Sequence, residues 1–343
     1  MKQALLRRTG DLEVMETPPP ELPPRGVVVA MQAAAICRAD IKMFRKGQKD
    51  LVLPRIPGHE GVGEIVQSDD ARFAAGTRVP LYPGVFCGKC SACRTGQTSR
   101  CRDLRICGFN EDGFFRTLVP FPEDKLHALV PIPRDIDPSC VVMAEPLACC
   151  INALSKFRYL QRGAALVIGA GAVGSLFAAL LKSQGFCNVV IADRDPGRLA
   201  QELPPRVIPL NVSGRPLHEC LKDLGMAGHV DFMVAACAGG LAWPFWEVMK
   251  PGGCVSFFSG HDPDDALKVI DLNILHYREL TLAGAYGCNL PDFQSAVELL
   301  IAGSVDISFL EPRRLPLREI MAGIEMLERH KTKKVIITEF QEA

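Results

Sequence analysis

The sequence predicts an α/β chain in two parts: a β-rich domain, and a doubly wound domain built on a parallel sheet. Three observations carry that expectation. The chain's 343 residues exceed the roughly 100–200 of one domain. Its early part holds short β-rich runs, at 27–31 extending toward 36, at 62–66 and at 77–81, parted by Gly, Pro and Asp. From residue 164 onward the pattern changes to apolar runs alternating with helical spacing, as in successive strand-helix units. The expected boundaries are 1–150 with 285–343 for the β-rich domain and 151–284 for the parallel-sheet domain.

Composition narrows the function classes. The 39 basic and 39 acidic residues cancel, with no basic block, so the electrostatic footprint of a nucleic-acid binder is missing. A small-molecule partner is expected instead. The opening residues Met1-Lys2-Gln3-Ala4-Leu5 lack the apolar core of a secretory signal. No window reaches the ~18 apolar residues that span a bilayer. The expected location is therefore the cytoplasm, with no membrane partner. There the 14 cysteines stay reduced, which favours metal binding over disulfides wherever they cluster. Cys149, Cys150, Cys187, Cys237 and Cys254 lie in apolar surroundings and read as small buried hydrophobes.

Taken in order, the chain first offers Cys37-Arg38-Ala39-Asp40, at the end of the strand begun at Val27. Gly58-His59-Glu60-Gly61-Val62-Gly63 follows the run Pro54-Arg55-Ile56-Pro57. Its glycines let the backbone bend and approach other chain, while His59 and Glu60 offer nitrogen and oxygen donors of the kind zinc accepts. Cys37 is the candidate partner. Cys87-Gly88-Lys89-Cys90-Ser91-Ala92-Cys93 and Cys101 supply four thiolates, enough for a closed tetrahedral shell with no position for water. That is a structural zinc lobe at about 87–101, with Cys107 left outside it. Glu145 sits in the apolar run 141–151, which reads as one buried helix. A carboxylate there is costly unless paired or bound to metal.

In the second part the strand 164–168 runs into Gly169-Ala170-Gly171-Ala172-Val173-Gly174, which opens a helix. A second strand, 189–192, ends at Asp193, 22 residues past Gly171. Such a context identifies a dinucleotide site: Gly169, Gly171, Val173 and Gly174 admit the pyrophosphate to the backbone and the helix N-terminus. Asp193 accepts from the adenosine ribose and repels a 2′-phosphate, favouring NAD over NADP. Arg194 works against that preference, and Arg198 is placed to cover the adenosine end. Runs at 230–235, 253–258 and 280–284 read as later strands of the same sheet. Trp243 and Trp246 read as packing residues, and His218, His229, His261 and His276 as non-catalytic. Helical spacing recurs at 293–301 and 320–327, and a terminal strand at 334–338 needs an existing sheet to join. The expected result is a cleft between two lobes where metal and cofactor meet.

Together, Cys37 with Asp40, Gly58-His59-Glu60 with Gly63, the four-cysteine lobe, Glu145-Pro146 and the unit from Gly169 to Asp193 resemble the zinc-dependent medium-chain dehydrogenase/reductase family. The pattern is nearest the polyol and threonine dehydrogenases such as sorbitol dehydrogenase, and covers almost the whole chain. The resemblance implies a GroES-like catalytic domain with a Rossmann domain, a homodimer or homotetramer, one catalytic and one structural zinc per chain, and hydride transfer between a secondary alcohol and NAD. It implies zinc ligation by Cys37 and His59, with Glu60 or Glu145 as the third protein ligand. Glu145 stands where the polyol branch carries a glutamate and the ordinary alcohol dehydrogenases a cysteine. Asp40 resembles the acid that orients the histidine through its other ring nitrogen.

Two departures qualify the resemblance. The family's Ser or Thr two positions after the cysteine, which starts a proton relay, is Ala39 here. Gly113-Phe114-Phe115-Arg116-Thr117 replaces a Gly-Gly-Phe-Ala-Glu-Tyr run, so a base stands for an acid and local pairing must be rebuilt. Carbonyl reduction by the same machinery, and a non-catalytic zinc and nucleotide-binding protein, are the alternative functions.

Overall fold

The structure is a computed structural model that describes residues 1–157, 160–237, 244–261, 266–267 and 269–341. It divides into two compact units: Met1–Ala148 with Cys288–Ala302 and Glu311–Ala343, and Cys149–Gly287 with Gly303–Leu310.

The first unit is organised on the strand Val27–Ile36, whose apolar, small-residue run is buried along most of its length. It pairs antiparallel with Glu60–Ser68 on one side and with Val335–Glu339 on the other, and at its start with Leu118–Phe121. The main path of this six-stranded sheet runs Arg313–Pro316, Val335–Glu339, Val27–Ile36, Glu60–Ser68, Arg78–Leu81, with Leu118–Phe121 as the sixth strand beside Val27–Ile36. The terminal strand therefore lies inside the sheet. The hairpin Lys2–Arg8 with Asp11–Glu16 stands apart as a two-stranded sheet. One expectation is corrected. The single helix read over 141–151 is two, Pro138–Val141 and Ala144–Leu154. Pro146 is the reason: without an N–H it is tolerated only in a helix's first turn, so the second helix starts at Ala144.

The second unit holds six parallel strands in the order Ile208–Asn211, Asn188–Asp193, Ala164–Ile168, Val230–Ala235, Met249–Phe257, Thr281–Gly284. In chain order this is 3-2-1-4-5-6, the doubly wound dinucleotide-binding arrangement. Ala164–Ile168 and Val230–Ala235 are buried along their whole length, which explains their uninterrupted apolar runs. Leu166, Ile168, Val190, Met233, Phe245 and Val255 share one core. The strand Ile208–Asn211 escapes the sequence pattern because it lies at the sheet edge, only half buried, with Pro209 within it. Trp246 packs edge-on against Phe245 at 5.2 Å between ring centres, and Trp243 lies outside the described residues. Among the described residues no helix is long and apolar enough to cross a membrane.

Candidate active site and metal centres

Strand register brings the first donors together. Ala35 faces Glu60 at the end of the Val27–Ile36/Glu60–Ser68 ladder, so Cys37 just past one strand and His59 just before the other leave the sheet at the same end. Gly58 itself has φ +95, and a Cβ there would meet Phe115 at 3.0 Å. No other residue turns the chain at this point without strain. One donor atom from each of Cys37, His59 and Glu60 lies within 4.8 Å of the others. Asp40, on the first turn of the helix Arg38–Lys46, ties the two stretches together. Its carboxylate accepts from the Cys37 N–H at 2.8 Å and the Gly58 N–H at 3.2 Å.

Asp40 Oδ1 also stands 3.5 Å from His59 Nδ1, and among the described residues no group makes an aligned hydrogen bond to that nitrogen. Burial alone would lower the His59 pKa, yet Asp40 and Cys37 hold it well above the usual 6.5. The pocket thus favours positive charge. A half-buried sulfur beside a buried imidazole and a buried carboxylate is a donor set of the kind zinc accepts. Phe109 packs edge-on to the His59 ring at 5.2 Å and gives the site an apolar wall.

Lys334 is the residue the sequence reading missed. Val335 pairs with Ile36, so Lys334 enters the sheet at the end where Cys37 leaves it. It is 3% exposed, and its Nζ lies 2.5 Å from Glu60 Oε2 in an ion pair rather than a well-directed hydrogen bond. Burial lowers the Lys334 pKa, but Glu60, Cys37 and Glu145 together raise it above the ordinary 10.5. Glu145 therefore acts on this centre electrostatically, and its carboxylate also lies within 4.8 Å of the Cys288 sulfur. The alternation of a terminal strand could have flagged an inward lysine. Its neighbours are set only by register.

Arg116 is buried, and its Nε has no hydrogen-bond partner among the described residues. Burial lowers its pKa, offset in part by Asp112, Cys107 and Glu111. Those acids are themselves engaged: Asp112 by Arg55 at 2.8 Å, and Glu111 by Lys125 at 2.5 Å and Arg105 at 2.5 Å. The exchange of acid for base at this position is thus answered by nearby carboxylates without a direct ion pair.

Cys87, Cys90, Cys93 and Cys101 converge, one sulfur from each lying within 4.8 Å of the others. The Cys90–Cys93 and Cys87–Cys93 sulfurs are 3.4 and 3.9 Å apart. Tetrahedral zinc at about 2.3 Å from each sulfur requires S···S separations of about 3.8 Å, so the lobe fits the ion. The Cys93 backbone N–H pulls the Cys90 thiol down to about 6, whereas burial pushes Cys93 up to about 12. Buried Tyr82 anchors the lobe through Thr98 at 3.0 Å and the Cys288 carbonyl at 3.0 Å. Cys90→Ser is expected to remove one zinc per chain and to lower the unfolding midpoint by roughly 6–12 °C, the equivalent of about 3 kcal/mol. Metal analysis with calorimetry checks this; an unchanged zinc content would refute it.

In the second unit the glycine loop joins Ala164–Ile168 to the helix Ala172–Ser183. A Cβ on Gly174 would stand 1.8 Å from the Gly169 carbonyl, so only glycine allows this closeness of helix and strand. At Gly171 a Cβ would meet nothing within 4 Å. That open position above a helix N-terminus, whose first N–H groups point outward, fits a pyrophosphate. Val173 lies in the first turn of the same helix. Asp193 ends its strand with Oδ2 accepting from the Ala170 N–H at 2.8 Å and Oδ1 from the Asp195 N–H at 2.9 Å. Arg198 Nη1 stands 3.6 Å from Asp193 Oδ2, and Arg194 is exposed beside it.

Residues 23–134 match the alcohol dehydrogenase GroES-like domain family. The chain is 34% identical over 324 residues to D-altritol 5-dehydrogenase from Agrobacterium fabrum, covering 91% of each chain. It is 29% identical over 349 residues to L-threonine 3-dehydrogenase from Rhizobium etli, covering 98% of each. Its fold matches the crystal structure of a putative zinc-binding dehydrogenase from Sinorhizobium meliloti bound to NADP, with a TM-score of 0.86, 26% identity and 98% of each chain covered.

Proposed function

This chain belongs to the zinc-binding medium-chain dehydrogenase family, and we propose that it oxidises a secondary alcohol of a polyol, sugar or amino alcohol with NAD as acceptor. The observation that carries the reading is the approach of Cys37 to the buried His59, both tied to Asp40, with Glu60 answered by Lys334 and Glu145 acting on the same centre. The named polyol and threonine dehydrogenases among its relatives support the substrate class.

We assign Cys37, His59 and Glu145 as the residues that hold the catalytic zinc. Asp40 faces His59 Nδ1 and so leaves Nε2 to the metal. Glu60 is already neutralised by Lys334; withdrawing it would leave a buried ammonium uncompensated, which costs several kcal/mol. A zinc ion held there would supply Lewis acidity toward the substrate oxygen, and a bound nicotinamide would supply the hydride acceptor. Around that chemistry Phe109 excludes water beside His59, and Lys334 with Glu60 balances the buried charge. Asp193, Arg194 and Arg198 hold the adenosine end, with Gly169, Gly171, Val173 and Gly174 around the pyrophosphate.

The test is zinc analysis together with reduced-nucleotide formation on a panel of polyols, sugars and amino alcohols. Turnover of one of these with NAD supports the reading. Full zinc occupancy without turnover of any alcohol or carbonyl would instead favour the non-catalytic alternative. Ala39 has a further consequence: with a methyl in place of a hydroxyl, the substrate proton must leave through water or through a carboxylate such as Glu60 or Glu145. Ala39→Ser is expected to raise turnover of simple secondary alcohols at least about tenfold, a modest share of what a positioned proton-transfer group contributes. A rate within twofold of the parent would count against it.

We also propose a homodimer or homotetramer assembled through the parallel sheet. Among the described residues Thr281–Gly284 ends that sheet, and Leu267, Val269, Leu272, Tyr277 and Tyr286, in the chain segments before and after it, are exposed. An open edge flanked by apolar side chains favours pairing with another copy. Tyr277→Glu is expected to shift the mass seen by light scattering toward the monomer; a monomeric parent protein would dismiss the idea.

A further inference from the structure

We propose that Arg116 anchors a binding site for a small monovalent anion, a halide or a formate-sized carboxylate, beside the strand Lys2–Arg8; the proposal is independent of the catalytic and dinucleotide readings above. Arg116 is only 9% exposed, between Phe115 at 1% and Thr117 at 4%. Its Nε has no hydrogen-bond partner, and among the described residues no ion pair, side-chain hydrogen bond or aromatic ring engages the guanidinium. Burying a cation without a counter-charge is costly. Nor is the side chain free to withdraw into water by a shift of its backbone. The Phe115 carbonyl accepts from the Ala4 N–H at 2.8 Å and the Thr117 N–H donates to the Lys2 carbonyl at 2.8 Å, with Gln3 opposite Arg116. Thr117 is tied once more, its hydroxyl donating to the Phe340 carbonyl at 3.0 Å.

The neighbouring carboxylates serve other cations. Asp112 takes Arg55 at 2.8 Å, Glu111 takes Lys125 and Arg105 at 2.5 Å each, and Asp124 lies 3.7 Å from Arg105. Asp112 and Glu111 act on Arg116 only through space, and they offset the effect of its burial only in part. Four cations thus meet three carboxylates, and the cation left without an ion pair is the buried one; Arg55 and Lys125 are half-buried and Arg105 is exposed. Cys107 does not supply the missing charge. Burial pushes its thiol up to about 11, although Lys125 and Arg116 pull it the other way, so at neutral pH it stays protonated. An excess of one positive charge calls for a monovalent partner, since a divalent anion would reverse the imbalance. The small exposure of Arg116 sets the size, and its planar fork of N–H donors suits a halide or the two oxygens of a carboxylate.

Calorimetric unfolding of the full chain at constant ionic strength tests this, with sodium isethionate, whose anion is bulky, exchanged stepwise for chloride or for formate. The parent's midpoint is expected to rise by about 2–4 °C along a saturating curve, because an anion that binds only the folded chain stabilises it by mass action. Arg116→Met, which keeps the bulk and removes the charge, is expected to flatten both curves. Arg116→Lys, which keeps the charge without the fork, is expected to retain a smaller rise. A response to chloride alone identifies a halide site, and one to formate alone a carboxylate site. A parent midpoint that moves with neither anion overturns the proposal, and so does a rise in Arg116→Met equal to the parent's.

Discussion

Glu145→Gln is expected to lower turnover by about a thousandfold or more and to reduce zinc by one ion per chain, whereas Glu60→Gln keeps its full zinc content. The magnitude follows from the several kcal/mol that a bound metal contributes by stabilising charge on the reacting oxygen. The asymmetry follows from Lys334. A carboxylate 2.5 Å from a buried ammonium serves that ammonium first, and the neutral amide cannot. Glu60→Gln should therefore cost stability more than metal. Elemental analysis of both variants, run beside calorimetry and initial rates, decides the matter. Zinc lost from Glu60→Gln and retained in Glu145→Gln would reverse the assignment.

Lys334→Met is expected to be the most destabilising single change away from the ligands, by about 3–5 kcal/mol, because it strands the buried Glu60 charge. The double variant Lys334→Met with Glu60→Gln should recover most of that loss, since removing both charges spares the desolvation that removing one leaves uncompensated. The pH dependence has a definite sign. Burial works to lower the Lys334 pKa, but Glu60 and its neighbours bring the folded value above the ordinary 10.5. The pair's contribution is therefore complete below pH 10.5 and fades as pH rises through the folded value. Denaturant titrations should show the parent losing more stability than Lys334→Met above that point. Parallel losses would mean that Lys334 is not the group responsible.

How much of this was legible depends on the range of the interaction. The four-cysteine lobe is local in sequence, so spacing alone revealed it. The glycine loop is local as well: strand, glycines, helix and second strand follow in order, and the structure has them as Ala164–Ile168, Ala172–Ser183 and Asn188–Asp193. Other features were not legible because their cause is distant. Lys334 looked like the first residue of a terminal strand, and only the pairing of Val335 with Ile36 brings it into the sheet at the end where Cys37 leaves it. Asp193 looked like a pure ribose ligand, and only loop packing reveals its bond to Ala170. The break before Ala144 was available from Pro146 but was outweighed by the apolar run around it.

By itself, then, the sequence determined the fold class, the family and the donor types of the candidate metal-binding clusters, because short-range pattern and side-chain chemistry are written residue by residue. The tertiary structure decided which charge answers which. Lys334 came to face Glu60, Asp40 to join Cys37 with Gly58, and Arg198 to face Asp193 through strand pairing and backbone approach. The physical reason is that the worth of a buried charge depends on partners a few ångströms away. Strand register, far more than proximity in the chain, chooses those partners.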